Sequence, residues 1–206
     1  MKKAFIALLI TGSLLVAGFH KEVKQFSYRI DADSSVVEWR GASPKTAHNG
    51  SFAVNSPGLE VVNGQVTGGT FIIPIASIRN YDLPKLTKPL LIKHLKSEDF
   101  FNMALYPEAS FTITKVEPLS HLAAGTVAGA NTVVSGNFTM IGNTHPISFP
   151  AKINFIDNRL DVEASFTIDR TKWGMLHASD PALKNRHIYP EVDIHLKVLA
   201  FKQQAN

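Results

Sequence analysis

The sequence predicts an all-β domain of about eight antiparallel strands, on two observations. From residue 30 onward the apolar residues recur mainly with period two, and short turn signals separate the longest alternating runs. Val37, Trp39 and Gly41 share one parity against Glu38 and Arg40, which places the indole on one face of a first strand and the charges on the other. Phe52 and Val54 follow Asn49-Gly50, read here as a turn. Asn63-Gly64 predicts a hairpin into Val66–Ile75, where Phe71, Ile73 and Ile75 hold one face. Pro74 marks a strand end or edge, and Gly68-Gly69 a bulge or close strand approach.

Residues 83–107 leave the sheet. Pro89–Lys96 supplies one or two helical turns, and Ser97–Asn102 reads as a second short helix with Ser97 as N-cap and acids in its first turn. Strands resume with Phe111 and Ile113, then Val134, Gly136, Phe138 and Met140 up to a turn at Gly142-Asn143. Ile147, Phe149, Ala151, Ile153 and Phe155 follow, and after Asp157-Asn158 come Leu160, Val162, Ala164, Phe166 and Ile168. That succession is an antiparallel meander. Val192–Val198 forms the last strand. Closing such a sheet into a barrel hides both its edges and its apolar face, whereas a β-sandwich would show the same alternation.

The first residues read as an export signal rather than as fold. Lys2 and Lys3 precede the apolar run Ala4–Val16, with Ala17 and Gly18 as small residues before a cleavage point. Leu15-Val16-Ala17-Gly18 would suit a lipoprotein signal, but Phe19 stands where the lipid-bearing cysteine belongs. The expectation is a signal over residues 1–18 and a single soluble domain over 19–206, periplasmic or otherwise exported. The chain has no cysteine, so neither disulfides nor thiolate metal sites are available. Its formal charge of +4 falls to about +2 without Lys2 and Lys3, with signs interspersed, and no basic stripe suggests a nucleic-acid partner.

No catalytic motif stands out. The histidines His48, His94, His121, His145, His177, His187 and His195 are scattered without short metal-ligand spacing; His177-Ala178-Ser179-Asp180 with His187 nearby is the one arrangement to weigh as a metal site, and polar loop residues are the plainer reading of it. No phosphate-cradling loop or nucleophile elbow occurs, so no catalytic residue, metal ligand or catalytic cofactor is expected. The 13 phenylalanines are the informative residues, many of them on the alternating face. Phe71, Phe111, Phe138, Phe149 and Phe166 are either packed core, each contributing about 1.5–3 kcal/mol by leaving water, or the walls of a cavity. Gly136, Ala151 and Ala164 on the same face leave volume among large neighbours, to be filled by an occupant or by side chains from across the barrel.

Specific strings go further. Tyr28-Arg29-Ile30-Asp31 with Val36-Val37-Glu38-Trp39, then His48-Asn49-Gly50-Ser51-Phe52, Gly68-Gly69-Thr70-Phe71, LIKHLKSEDFFNMALYPEASF over 91–111, the stretch from Val134 to Ile147, and Phe166–Met175 occur in family order over residues 28–200. The chain resembles the YceI-like family of exported, lipocalin-like proteins. The resemblance implies an eight-stranded antiparallel barrel around a long hydrophobic channel, with short helical segments near one end. It also implies binding of a polyisoprenoid or isoprenoid quinone and no catalytic machinery.

Carried onto this chain, the motifs imply ligand-binding positions at Trp39, His48 and Phe52 on early strands or their loops, with Phe71 beside them. They imply His94, Phe100, Phe101 and Tyr106 in a helical excursion that caps the open end, and Phe111, Phe138, Phe166 and Trp173 facing the cavity. Lys93, Asn143, His145 and Trp173 depart from the family's usual residues, which bears on headgroup preference more than on fold. The expected partner is an apolar, lipid-like molecule, carried or stored, with transient membrane contact and a dimeric state both compatible. The competing reading is a structural or stress-response protein-interaction module with no bound lipid. A small lipid- or quinone-directed enzyme would need a nucleophile or base converging with other polar groups inside the cavity.

Overall fold

The computed structural model describes residues 23–121 and 125–204, so the export signal expected over residues 1–18 lies outside the described residues. The strand segments are β1 (Gln25–Ile30), β2 (Val36–Ala42), β3 (Ala47–Phe52), β4 (Leu59–Val62), β5 (Gln65–Pro74), β6 (Arg79–Asn80), β7 (Glu108–Pro118), β8 (Thr132–Met140), β9 (Asn143–Ile156), β10 (Arg159–Asp169) and β11 (Glu191–Lys202). Helix α1 (Lys88–Lys96) and short 3₁₀ turns at Ile75–Ser77, Arg170–Trp173 and Pro181–Arg186 complete the elements.

These segments assemble into eight staves. β1 and β2 lie end to end along β11, with Ile30 opposite Ala200 and Val36 opposite Lys197. β3 and β4 likewise share one stave, linked by the Asn55 bridge to Ile72, and β6 extends β5 beyond the Ile75–Ser77 turn to pair with β3. Closure comes from β1, which pairs with β4 on one side and β11 on the other. Every pairing is antiparallel, and this closure distinguishes the barrel from a sandwich.

Alternation sorts the side chains as the sequence implies. On the meander's outer face polar cross-strand pairs form, including Ser135 with Ser148, Thr139 with Thr144, and Thr167 with Asp193. Inward positions carry the apolar residues. One end of the barrel is sealed by the buried side chains of Tyr28, Val61, Leu160 and Ala200, with Phe155 edge-on to Tyr28.

Three local expectations are corrected. Asn49-Gly50 is not a turn: both residues lie within β3, opposite Arg40 and Trp39, and the chain reverses at Ser43–Thr46, where the Ser43 side chain accepts from Thr46 N–H. Glycine is required at position 50 because a Cβ there would collide with the Arg79 carbonyl and the Trp39 ring. The β8–β9 turn is Ile141-Gly142, both at positive φ, one residue earlier than expected, since Met140 already pairs with Asn143. Ser97 ends α1 instead of starting a helix; its hydroxyl donates to the His94 carbonyl, and the following residues form turns. By contrast, Gly68-Gly69 does sit at a bulge, with Thr67 the extra residue opposite Glu60 and Val61.

Candidate functional site: an apolar tunnel with a polar mouth

The inward faces enclose a deep cavity of about 110 Å³. Its lining is entirely Val, Leu, Ile and Phe, drawn from every stave. Phe71, Phe111, Phe149 and Phe166 form the aromatic wall, with Phe71 tilted against Phe111 at 6.4 Å and Phe111 against Phe149 at 5.5 Å. A second cavity of about 370 Å³ adjoins it toward the open end, within the size range of ligand pockets. Val37, Ile73, Phe138, Ile168 and Ile194 line both, so the two are one tunnel. Along β10 the lining runs from Ile168 inward to Val162, about 20 Å of strand at ~3.3 Å per residue.

The small residues do not create this space. A Cβ on Gly136 would fall within the Phe111 ring, so Phe111 already fills the volume that glycine leaves. Ala151 and Ala164 face each other across β9 and β10 and pack beside Phe111, Val134 and Phe149, which line the cavity while the two alanines do not.

The mouth has a different chemistry. Leu91, His94 and Leu95 of α1, then Phe100 and Phe101, cover one side, and Phe101 packs edge-on against Phe52 at 5.4 Å. The other side is the segment from Met175 to Tyr189, organised by Arg170. This buried guanidinium donates to the carbonyls of Met175, His177, Ile188 and Tyr189, and sits over the Phe100 ring. Burial lowers its pKa, Asp169 opposes that, and it remains a cation. Asp169 also accepts from Thr171, fixing the 3₁₀ turn that follows β10.

At the rim, Asp82 accepts from the Asn49 N–H at 2.9 Å and from Asn80 at 2.7 Å, and lies 2.7 Å from His48 Nδ1. Burial raises its pKa, but these hydrogen bonds outweigh that and lower it to about 2. His94 Nε2 and His177 Nδ1 both face Asp99, at 2.9 and 3.3 Å. Trp39 Nε1 is buried at the mouth without a hydrogen-bond partner among the described residues.

Of the positions expected from the sequence, Phe71, Phe111, Phe138 and Phe166 line the deep tunnel. Trp39, His48, Phe52, His94, Phe100 and Phe101 line the mouth. Two lie elsewhere. Tyr106 packs its ring over Gly142 in the β8–β9 turn. Trp173, 1% exposed, stands behind the wall, its indole donating to the Phe138 carbonyl and its ring edge-on to Phe138 and His145. Sequence reasoning missed Arg170, although it lies within the Phe166–Met175 string. It also missed the convergence of Asp99 with His94 and His177, which no local spacing signals.

A closed eight-stave barrel with an apolar interior and a helix-covered mouth defines a lipocalin-like binding fold. The sequence profile of the YceI-like domain matches residues 28–200, and the chain belongs to that family. A UPF0312 protein of Pseudomonas putida (strain GB-1) is 29% identical over 160 residues, covering 75% of this chain and 74% of its own. Protein YceI of Escherichia coli is 38% identical over 61 residues, 30% of this chain and 27% of the relative. Among solved structures, BcnA of Burkholderia cenocepacia superposes with a TM-score of 0.64 at 17% identity, covering 82% of this chain and 98% of BcnA. A polyisoprenoid binding domain from Saccharophagus degradans, implicated in plant cell wall breakdown, gives 0.63 at 16% identity, covering 86% and 99%.

Proposed function

We propose that this protein is an exported, non-enzymatic carrier that holds one apolar chain of isoprenoid type, a polyprenol or an isoprenoid quinone, for transport or storage. The observation that carries the reading is the tunnel: among the described residues its deep half offers no polar side chain, and its mouth holds a buried indole N–H with no acceptor. A flexible tail gains about 0.8 kcal/mol per CH₂ group buried. An oxygen-bearing head at the mouth would accept from Trp39 Nε1 after a small shift of the ring that opens this buried atom, sparing the cost of an unpaired donor.

Family membership and the likeness in fold to a polyisoprenoid-binding domain support the same reading. The apolar stretch Ala4–Val16 supports export. The tunnel speaks against a lipid-free interaction module, whose barrel needs no interior space.

Native mass spectrometry of protein purified without detergent, followed by solvent extraction, tests the proposal. The expected result is one bound lipid per chain and an N-terminus near Phe19. No extractable lipid, together with no binding from a panel of quinones and polyprenols, would overturn the carrier reading, and an intact Met1 would overturn export with cleavage.

A further inference from the structure

We infer that His94, Asp99 and His177 form a binding site for a divalent transition-metal ion of the zinc class, which would clasp the two segments that frame the tunnel mouth. His94 stands in the last turn of α1, Asp99 in the turn that follows, and His177 on the segment between the 3₁₀ turns Arg170–Trp173 and Pro181–Arg186. One ligand atom from each lies within 4.8 Å of the other two. The carboxylate is shared, with Oδ2 at 2.9 Å from His94 Nε2 and Oδ1 at 3.3 Å from His177 Nδ1. Tetrahedral coordination with bonds of about 2.0–2.1 Å sets ligand atoms roughly 3.3 Å apart; the Asp99–His177 pair already stands at that spacing, His94 would part slightly from Asp99, and the remaining separation of at most 4.8 Å would close.

Two imidazoles and one carboxylate are a ligand set suited to zinc, cobalt or iron, with the remaining positions open to water. All three side chains are partly exposed, which gives an ion a path in.

The surroundings hold the ligands in place. The Phe100 ring lies 5.0 Å from the His94 ring and 5.2 Å from the His177 ring, filling the space behind both. Arg170 Nη2 donates to the His177 carbonyl at 2.9 Å, and Ser97 Oγ donates to the His94 carbonyl at 2.8 Å, so the backbone at both imidazoles is fixed. A carboxylate only accepts, so without metal His94 Nε2 carries the hydrogen that it shares with Asp99. On coordination that proton moves to the other ring nitrogen, and the lone pair turns to the cation.

The consequence is mechanical. His94 and His177 belong to the two segments that frame the mouth, with their rings 4.9 Å apart, so one ion bound to both ties α1 to the 175–189 segment.

Isothermal titration of the untagged, chelator-treated protein with zinc chloride tests the site, with cobalt chloride as a spectroscopic probe. The expected result is one zinc per chain, weakened at least tenfold by His177→Ala and by Asp99→Asn, whereas His121→Ala and His145→Ala leave it unchanged. His177→Gln serves if the alanine variant loses its native circular dichroism. Hydrogen exchange over residues 88–101 and 175–189 should slow when zinc is added. Absence of a one-to-one site, or zinc affinity indifferent to both Asp99→Asn and the His177 substitution, would overturn the metal site. Binding without slower exchange would overturn the clasp.

Discussion

The rings of Phe149 and Phe166 stack face to face, with centroids 4.1 Å apart and 7° between their planes. They project inward from β9 and β10 just beyond the paired residues Ala151 and Ala164, and both line the deep tunnel. The stack is therefore both core and wall. Phe166→Ala removes one ring and merges its volume with the cavity. Because one side of the ring already faces open space, the expected loss is about 3 kcal/mol, at the low end for a buried Phe-to-Ala change. Urea unfolding checks this, with the midpoint falling at an unchanged slope.

The opposite change tests occupancy. Val162 lines the deep tunnel and the Val162→Trp ring would project into it. Overpacking is expected to cost about 1–3 kcal/mol, less than the fold can bear. A quinone or polyprenol that binds the unmodified protein should no longer bind, while circular dichroism stays native. Undiminished binding would mean that the lipid sits elsewhere.

Arg170 holds the mouth through its four carbonyl acceptors. Arg170→Met keeps much of the side-chain volume but leaves those carbonyls without their donor, and the expected destabilisation is about 3 kcal/mol. Arg170→Lys should recover only part of it, since a compact ammonium cannot fork to four separated oxygens. Hydrogen exchange should quicken over residues 175–189 in both variants and remain slow in the β8–β10 meander.

Asp82 gives the rim a pH dependence of definite sign. Its pKa is about 2 in the fold against 3.8 ordinarily, so the ionised form is the one the fold favours. The contribution is complete above about pH 4 and fades as the pH falls toward 2. With its side chain 29% exposed, solvent screening limits it to about 1 kcal/mol. Urea midpoints between pH 5 and 2 should therefore fall more steeply for the unmodified protein than for Asp82→Asn.

How much of this was legible in the sequence depended on how local the cause was. The meander from Val134 to Ile168 was readable because period two and short turns are properties of neighbouring residues. Asn49-Gly50 misled because the same pair that favours positive φ in a turn serves here as a glycine demanded by the Arg79 backbone crossing it. Ser97 misled because a serine can accept from backbone N–H groups at a helix start or donate to a carbonyl at its end, and here it does both, donating to His94 at the end of α1 and accepting from Asp99 N–H where only turns follow. The aromatic wall was visible as inward parity. Gly136 suggested empty space that Phe111 fills, which only the cross-strand register of β7 and β8 decides. The Asp99 bridge joins the nearby His94 to His177, far away in sequence, and no periodicity encodes that.

Trp39 offers the sharpest test of how a ligand's head is held. Its indole N–H is buried at the mouth with no acceptor, and its ring packs over Gly50. An unpaired buried donor carries a cost that a ligand oxygen would relieve once a small shift of the ring opens it to the mouth. Trp39→Phe removes the donor while keeping an aromatic ring in the wall. The lost hydrogen bond should weaken binding of a quinone or polyprenol by about 0.5–1.5 kcal/mol, roughly two- to tenfold in Kd. A hydrocarbon of the same chain length, with no oxygen to accept, should bind both proteins alike. Fluorescence or calorimetric titration with the matched pair separates the cases: equal weakening of both ligands would show that Trp39 contributes only apolar contact, and the head would then have to be sought elsewhere on the rim.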